Sequence, residues 1–182
     1  MLRAIGLVEY NSIAQGIEST DAMVKAAQVE LLEARTICPG KYMALISGEV
    51  SAVETAVERG KERGQTFVVD HFILANVEPT VLAAITATTE LTELKALGVI
   101  EVFSIATAIV AADTAVKKAE IELIELRLGI GIGGKSYLSL TGDVGAVETA
   151  VEAAVEVIKE SGMLVNKIII PSPHKDMVKW VI

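Results

Sequence analysis

The sequence has one cysteine, few aromatic residues and no run rich in lysine or arginine. A single cysteine cannot form an intrachain disulfide bond, so we expect a reducing compartment, the cytoplasm. The net charge of −8 at pH 7 argues against nucleic acids and anionic membranes as partners, because both attract basic surfaces. The sequence also lacks an apolar run near the ~20 residues of a membrane span, and its first residues lack the pattern of a secretory leader. We therefore predict neither membrane insertion nor secretion.

Aliphatic residues dominate what is present: hydrophobic types make up 52% of the 182 residues, while aromatic types make up 4%. This composition predicts an α/β core built from alanine, valine, isoleucine and leucine. The mean hydropathy of +0.51 is high for a chain without a membrane span, which indicates surface that is buried between subunits. We therefore expect an oligomer.

The chain contains an internal repeat. Residues Ser12–Arg35 recur as Ser104–Arg127 with about half of the positions identical, and the segment EVSAVETAVE recurs as DVGAVETAVE. No linker rich in glycine, proline or serine separates the copies. We predict two domains of similar fold, residues 1–91 and 94–182.

Both copies show the same order of hydrophobic periodicities. In copy one, a short apolar strand at Ala4–Glu9 precedes a helix that Ser12 or Asn11 can cap. Two strand-like runs around a turn, a second helix, a further strand and a terminal helical turn follow. This β-α-β-β-α-β order predicts an α+β fold with helices packed on an antiparallel, ferredoxin-like sheet. Three chains would then place six similar units around a threefold axis, because a closed ring leaves no heterologous edge exposed.

The copies differ most in the loop between their second and third strands. In copy one this loop is Thr36–Lys41, which contains the only cysteine, and in copy two it is the glycine-rich Leu128–Lys135. Gly129–Ser136 matches the phosphate-binding pattern G-x-x-x-x-G-K-S, yet an alternating strand pattern follows it. A phosphate-binding loop opens a helix instead. We therefore interpret Gly129–Ser136 as a glycine-rich strand connection and not as a nucleotide site.

Two interpretations of Cys38 stay open from the residues alone. A lone cysteine in an apolar run is commonly a small buried side chain. Pro39 and Gly40, however, place Cys38 on a turn, and a threefold axis near that turn would bring three thiols together. Three thiolates can hold a metal ion or a 4Fe–4S cluster whose fourth iron takes another ligand, although one chain alone cannot. Lys41 would then offset thiolate charge, or is an ordinary solvated lysine.

No set of catalytic residues is recognisable, and we predict that the protein is not an enzyme. The two histidines, His71 and His174, have no Cys or His neighbour at metal-ligand spacing, so we interpret them as surface or interface residues. No combination of serine, histidine and carboxylate suits nucleophilic catalysis. Lys25 and Lys117 occupy equivalent places near the C-terminal ends of helices, where a cation is favoured by the helix dipole.

Three segments resemble the shell-protein domain, or BMC domain, of bacterial microcompartments. They are the repeated run Ser12–Arg35, the junction Gly48–Val50 with its copy Gly142–Val144, and the ending Ile170–His174. The resemblance covers nearly the whole chain twice, as in the trimeric, pseudohexameric shell proteins with tandem domains. It implies a homotrimeric tile in the shell of a cytoplasmic microcompartment, with other shell proteins as partners.

The loop Thr36–Lys41 resembles the first pore loop of a subtype from the propanediol-utilisation shell. In that subtype the matching cysteine of three chains binds one 4Fe–4S cluster in the central pore, which implies Cys38 as the ligand, electron transfer across the shell and a redox partner protein. The residues expected to line the pore are Ile37, Cys38, Pro39, Gly40, Ile132, Gly133 and Gly134. By the same resemblance, Lys25 and Lys117 lie at edges where neighbouring tiles meet.

One departure from the family and two rival hypotheses accompany this interpretation. Many single-domain shell proteins have Pro-Arg-Pro-His where this chain has Pro171–His174, so the arginine that often contacts neighbouring tiles is absent.

The first rival is a shell tile with a metabolite-conducting pore and no cluster. The second is a soluble small-ligand sensor with a tandem ferredoxin-like fold. Iron content separates the cluster from the open pore, and assembly into sheets or tubes counts against the sensor.

Overall fold

The computed structural model describes residues 4–86, 88, 89, 91 and 93–181. These residues group into two compact units. Unit one contains the chain up to Val77 together with Gly129–Gly134, and unit two contains Glu78–Leu128 together with the chain from Lys135 onward. The glycine-rich loop of copy two therefore belongs to the unit that contains the copy-one loop.

Unit one is a four-stranded antiparallel sheet with two helices. Its elements are β1 (Ala4–Tyr10), α1 (Ile13–Ala26), β2 (Glu30–Ile37), β3 (Lys41–Gly48), α2 (Val50–Gly64) and β4 (Val68–Ala75). The strand order is β2-β3-β1-β4, so β1 lies in the middle of the sheet and β2 at one edge.

Unit two repeats this arrangement with an additional helix before its first strand. Its elements are α3 (Pro79–Ile85), β5 (Ala96–Val102), α4 (Ile105–Lys118), β6 (Ile121–Leu128), β7 (Ser136–Gly142), α5 (Val144–Ile158), β8 (Leu164–Ile170) and, after a 3₁₀ turn at Lys175–Met177, α6 (Val178–Val181). The strand order β6-β7-β5-β8 is equivalent to that of unit one. The predicted α+β fold with two antiparallel sheets and packed helices is confirmed.

Matching serines begin the first helix of each copy. The Ser12 hydroxyl accepts a hydrogen bond from the backbone N–H of Gln15 at 3.3 Å, and the Ser104 hydroxyl accepts one from Thr107 at 3.1 Å. Each serine satisfies a backbone donor that has no partner within the helix, which is why a short polar side chain stands there. The predicted capping by Ser12 is confirmed.

Both sheets admit a helix at close range because their central strands carry a glycine. A Cβ added at Gly6 of β1 would lie 2.6 Å from Val57 Cγ2 of α2, and a Cβ added at Gly98 of β5 would lie 2.9 Å from Val151 Cγ2 of α5. Aliphatic side chains fill the space around this contact. The buried core cluster of unit one comprises Ala4, Val8, Tyr10, Met23, Ala44, Ile46, Val53, Ala56 and Val57.

Candidate functional site

The two strand connections of interest differ in length and backbone conformation. The β2–β3 loop has three residues, with a cis Cys38–Pro39 peptide and Gly40 at φ +79°. The β6–β7 loop has seven residues, 129–135. Four of its glycines adopt positive φ values that side chains disfavour; they are Gly129, Gly131, Gly133 and Gly134. The positive φ values at these positions explain why the β6–β7 loop is rich in glycine.

Within unit one, the glycine-rich segment packs directly against the cysteine loop. The backbone N–H of Cys38 donates to the carbonyl oxygen of Gly129 at 2.8 Å. A Cβ added at Gly134 would lie 2.6 Å from Pro39 Cδ, closer than real Cβ atoms come, and 3.1 Å from the Cys38 carbonyl oxygen, which is tighter than most Cβ contacts. Gly134 therefore allows the backbone of one loop to touch the backbone of the other. This contact was not predicted from the sequence, although the run of glycines was its signal.

The predicted pore residues have different degrees of exposure in the chain. Ile37 and Gly134 are buried, Cys38 and Ile132 are half-buried, and the other three are exposed. The exposed ones are Pro39, Gly40 and Gly133. Ile37 and Gly134 thus support the loops from within, while the residues between them form the loop surfaces. Their lining of a pore requires an assembly and stays a prediction.

Cys38 is a free, half-buried thiol. In the described part of the chain, no group of three or more His, Cys, Asp or Glu side chains is placed to hold a metal ion. A 4Fe–4S cluster takes four ligands, mostly cysteine thiolates, so the residues of one chain do not complete such a site. The donor chemistry of Cys38 fits the cluster only if other copies of the chain contribute their thiols.

A lysine at the base of each loop is paired with a carboxylate of the central strand. Lys41 forms an ion pair with Glu9, whose side chain is fully buried, and the lysine itself is 14% exposed. Lys135 Nζ lies 2.6 Å from Glu101 Oε1, with both side chains more than 30% exposed. Lys41 is therefore neither fully solvated nor an uncompensated cation for a thiolate. No sequence pattern had connected Glu9 or Glu101 to these lysines.

The comparison with protein families decides the identity of this fold. The model of the BMC domain matches residues 4–77 and again residues 96–173. The chain belongs to the BMC-domain family of bacterial microcompartment shell proteins. The bacterial microcompartment shell protein PduT of Citrobacter freundii is 41% identical over 182 residues, which cover 100% of this chain and 99% of the relative. The shell protein is thus PduT-like, with two tandem BMC domains.

Two solved structures resemble the shell protein. A microcompartment protein from Desulfitobacterium hafniense DCB has a TM-score of 0.86 and 57% sequence identity, and the match covers 98% of this chain and 99% of that one. A fused permuted hexameric shell protein of the RMM microcompartment has a TM-score of 0.63 at 22% identity, covering 87% of this chain and 82% of that one. The second likeness shows the shared fold.

The two predicted tile-edge lysines of the shell protein have unequal surroundings. Lys25 Nζ lies 2.7 Å from Asp21 Oδ2 on α1, and its side chain is 72% exposed. Lys117 Nζ lies 2.6 Å from Asp113 Oδ2 on α4, where the Asp113 side chain is 5% exposed. Each is an i, i+4 pair near a helix C-terminus, as the repeat implies. Their contact with neighbouring tiles stays a prediction.

The histidines and the glycine-rich loop before Ser136 form no recognisable metal or nucleotide site among the described residues. Partial burial, followed by the Lys61 ammonium, lowers the pKa of His71. His174 is exposed, with Nδ1 3.5 Å from Asp176 Oδ2. The loop before Ser136 leads into β7 and not into a helix, which agrees with the rejection of a phosphate-binding loop. None of the described helices is both long and apolar enough to cross a bilayer.

Proposed function

We propose that this shell protein is a non-enzymatic tile that assembles as a homotrimer in the shell of a cytoplasmic microcompartment. We further propose that Cys38 of three chains holds one 4Fe–4S cluster in the central pore. Such a cluster, when bound, takes up and releases single electrons, which suits electron transfer across the shell to a redox partner protein. The family of structural shell proteins to which the chain belongs supports the tile.

The observation that carries the cluster proposal is the position of the only thiol. Cys38 is half-buried at the start of a three-residue loop, and exposed Pro39 and Gly40 follow it. A cysteine that serves only as a small hydrophobe lies in the core, as Ala44 and Ile46 do on the next strand. A thiol at a loop surface is available to ligate, and a threefold axis at this loop supplies three of them.

Neighbouring residues hold the Cys38 loop in place through contacts that do not involve the cysteine Sγ. Gly129 accepts the backbone N–H of Cys38 at 2.8 Å, and Gly134 packs against Pro39. These contacts use backbone atoms of the cysteine and leave its Sγ free. The positive charge of Lys41 is compensated by Glu9, so Lys41 does not neutralise the negative charge that three thiolates would bring to this loop. Lys25 and Lys117, at the C-terminal ends of their helices, are the proposed contacts with other shell proteins.

The test is anaerobic reconstitution of the wild type and of Cys38→Ser with iron and sulfide. We expect about four irons per trimer in the wild type and none in Cys38→Ser, with a paramagnetic resonance signal after reduction. Serine keeps the size of the side chain and the backbone bond to Gly129, so Cys38→Ser is expected to assemble as the wild type does. Analytical ultracentrifugation of both proteins measures the oligomeric state separately from iron.

Three outcomes are distinguishable. Iron in the wild type alone supports the cluster. Trimers of both proteins without iron contradict the cluster and leave a shell tile with a metabolite-conducting pore. Wild-type protein that remains monomeric at micromolar concentration contradicts the homotrimer itself.

A further inference from the structure

Because the chain is an internal repeat, residues after the last strand of copy one have counterparts after the last strand of copy two. Leu7 pairs with Phe72 across β1 and β4, and the equivalent Val99 pairs with Ile168 across β5 and β8. Residues after β4 therefore correspond to residues after β8 at a constant offset. Glu78, Val81 and Ala84 correspond to His174, Met177 and Trp180. Both segments are helical: α3 follows β4, and the 3₁₀ turn with α6 follows β8.

In unit two, α3 covers a surface formed by β6 and the nearby end of α4. It packs mainly against β6, and Val81 and Ala84 are 0% and 1% exposed. The backbone N–H of Glu78 donates to Asp113 Oδ1 of α4 at 3.0 Å. The segment that enters from copy one thus completes the surface of copy two.

The equivalent surface of copy one is exposed to solvent. Leu31 and Leu32 of β2 are 43% and 37% exposed, whereas their counterparts Leu123 and Ile124 of β6 are 4% and 7% exposed. The side chain of Asp21, the counterpart of Asp113, is 57% exposed. We call Leu31, Leu32 and Asp21 the acceptor surface.

The C-terminal segment Lys175–Val181 exposes apolar side chains at positions where α3 buries them. Met177 and Trp180, at the positions of buried Val81 and Ala84, are 43% and 78% exposed. A tryptophan with that exposure is a large unburied apolar area, and aromatic residues of this kind are enriched in protein interfaces. Among the described residues, the chain therefore has an exposed acceptor surface and an exposed segment of the kind that covers such a surface in unit two.

We propose that the C-terminal segment of one copy packs onto the acceptor surface of a second copy, as α3 packs onto β6 within the chain. The backbone N–H of His174 then donates to Asp21 of the second copy, and Met177 and Trp180 cover Leu31 and Leu32. This contact is heterologous, with different surfaces on the two copies, so it propagates until a ring closes. The inference rests on the proposed function for the ring of three, and it assigns to the segment the role of joining one subunit to the next.

The first test uses Trp180, the only tryptophan of the chain. In the assembled wild type we expect blue-shifted emission and weak quenching by acrylamide, relative to N-acetyl-tryptophanamide. The double variant Leu31→Glu/Leu32→Glu is expected to shift the emission to the red, to raise the quenching severalfold and to lose the oligomer. Both leucines are exposed in the chain, so circular dichroism is expected to show an intact fold.

The control is Val157→Arg on α5, at a residue that is 52% exposed. The equivalent residue of copy one is Arg63, so the fold already accepts this side chain, and we expect emission and oligomer to stay as in the wild type. A wild-type trimer in which Trp180 is quenched as freely as the reference compound overturns the inference and leaves the proposed trimer standing. Protection of Trp180 that survives in the double variant overturns it as well.

A disulfide test distinguishes a second copy from the same chain. In a Cys38→Ser background, Asp21→Cys with His174→Cys is expected to give covalent dimers and trimers on non-reducing gels. The matched pair Glu78→Cys with Asp113→Cys, at the contact seen within the chain, is expected to give only intrachain bonds. Intrachain bonds from the first pair as well would show that the segment folds back on its own chain and would refute the second copy as its partner.

Discussion

Replacing Gly134 by alanine tests the backbone contact between the two loops of unit one. Gly134 has a φ of +81°, and an added Cβ would lie 2.6 Å from Pro39 Cδ. The left-handed conformation costs an alanine about 1–2 kcal/mol, and overpacking at a close contact costs about 1–3 kcal/mol more. We therefore expect Gly134→Ala to lower the free energy of unfolding by about 2–5 kcal/mol in total.

The loop itself offers matched controls. Gly131 and Gly133 have φ values of +73° and +66°, but a Cβ added at either would meet nothing within 4 Å. Gly131→Ala and Gly133→Ala therefore measure the backbone cost alone, about 1–2 kcal/mol. The excess loss in Gly134→Ala isolates the contact with Pro39.

Urea unfolding at one fixed protein concentration measures these differences, since the stability of an oligomer depends on concentration. A second readout is the rate at which Cys38 reacts with a thiol reagent, which is expected to change in Gly134→Ala and to stay near the wild-type rate in Gly133→Ala. Equal stability of the two variants would refute the argument that Gly134 is required for the approach of the loops.

Two further predictions concern ionisable groups. Lys41→Met removes the cation from the fully buried Glu9 and is expected to cost about 3–5 kcal/mol in urea unfolding, whereas Lys135→Met at the more exposed pair costs about 1 kcal/mol or less; equal losses would contradict the reasoning from burial. Burial, followed by a hydrogen bond to Glu125, raises the pKa of Tyr137 to about 12. Its neutral phenol therefore stabilises the fold below pH about 10, and this stability is lost as pH rises through about 12. An ultraviolet titration of Tyr137→Phe should lack the component near pH 12 that the wild type shows; an unchanged titration curve would contradict this assignment.

The tandem arrangement explains how one fold carries two kinds of loop. Two copies with the same strand order place their β2–β3 and β6–β7 loops at equivalent positions. Because the copies lie in one chain, one loop can keep a cysteine while the other accumulates glycines. In the proposed trimer, with these loops at its axis, this would give three thiols and three glycine-rich loops, whereas six identical subunits would place the same loop six times.

Much of the fold follows from local sequence patterns. The order of strands and helices and the cap at Ser12 depend on residues that are near neighbours in the chain, and the sequence predicted them. The cap at Ser104 was found in the structure, at the position that the repeat makes equivalent to Ser12. The rejection of a phosphate-binding loop before Ser136 was equally local, because the alternating pattern that follows shows a strand. The candidate thiol was found from the same kind of evidence, a cysteine followed by proline and glycine.

Contacts between distant segments were decided only by the tertiary structure. The bond from Cys38 to Gly129, the approach of Gly134 to Pro39 and the burial of the Lys41–Glu9 pair join residues that lie about thirty to ninety positions apart. Sequence composition shows that such residues are present, but strand register and the folding of the chain determine which of them meet. The sequence by itself thus determined the two BMC domains and their elements, while tertiary packing determined how the loops support the thiol, because hydrogen bonds and close contacts act over a few ångströms in space and not along the chain.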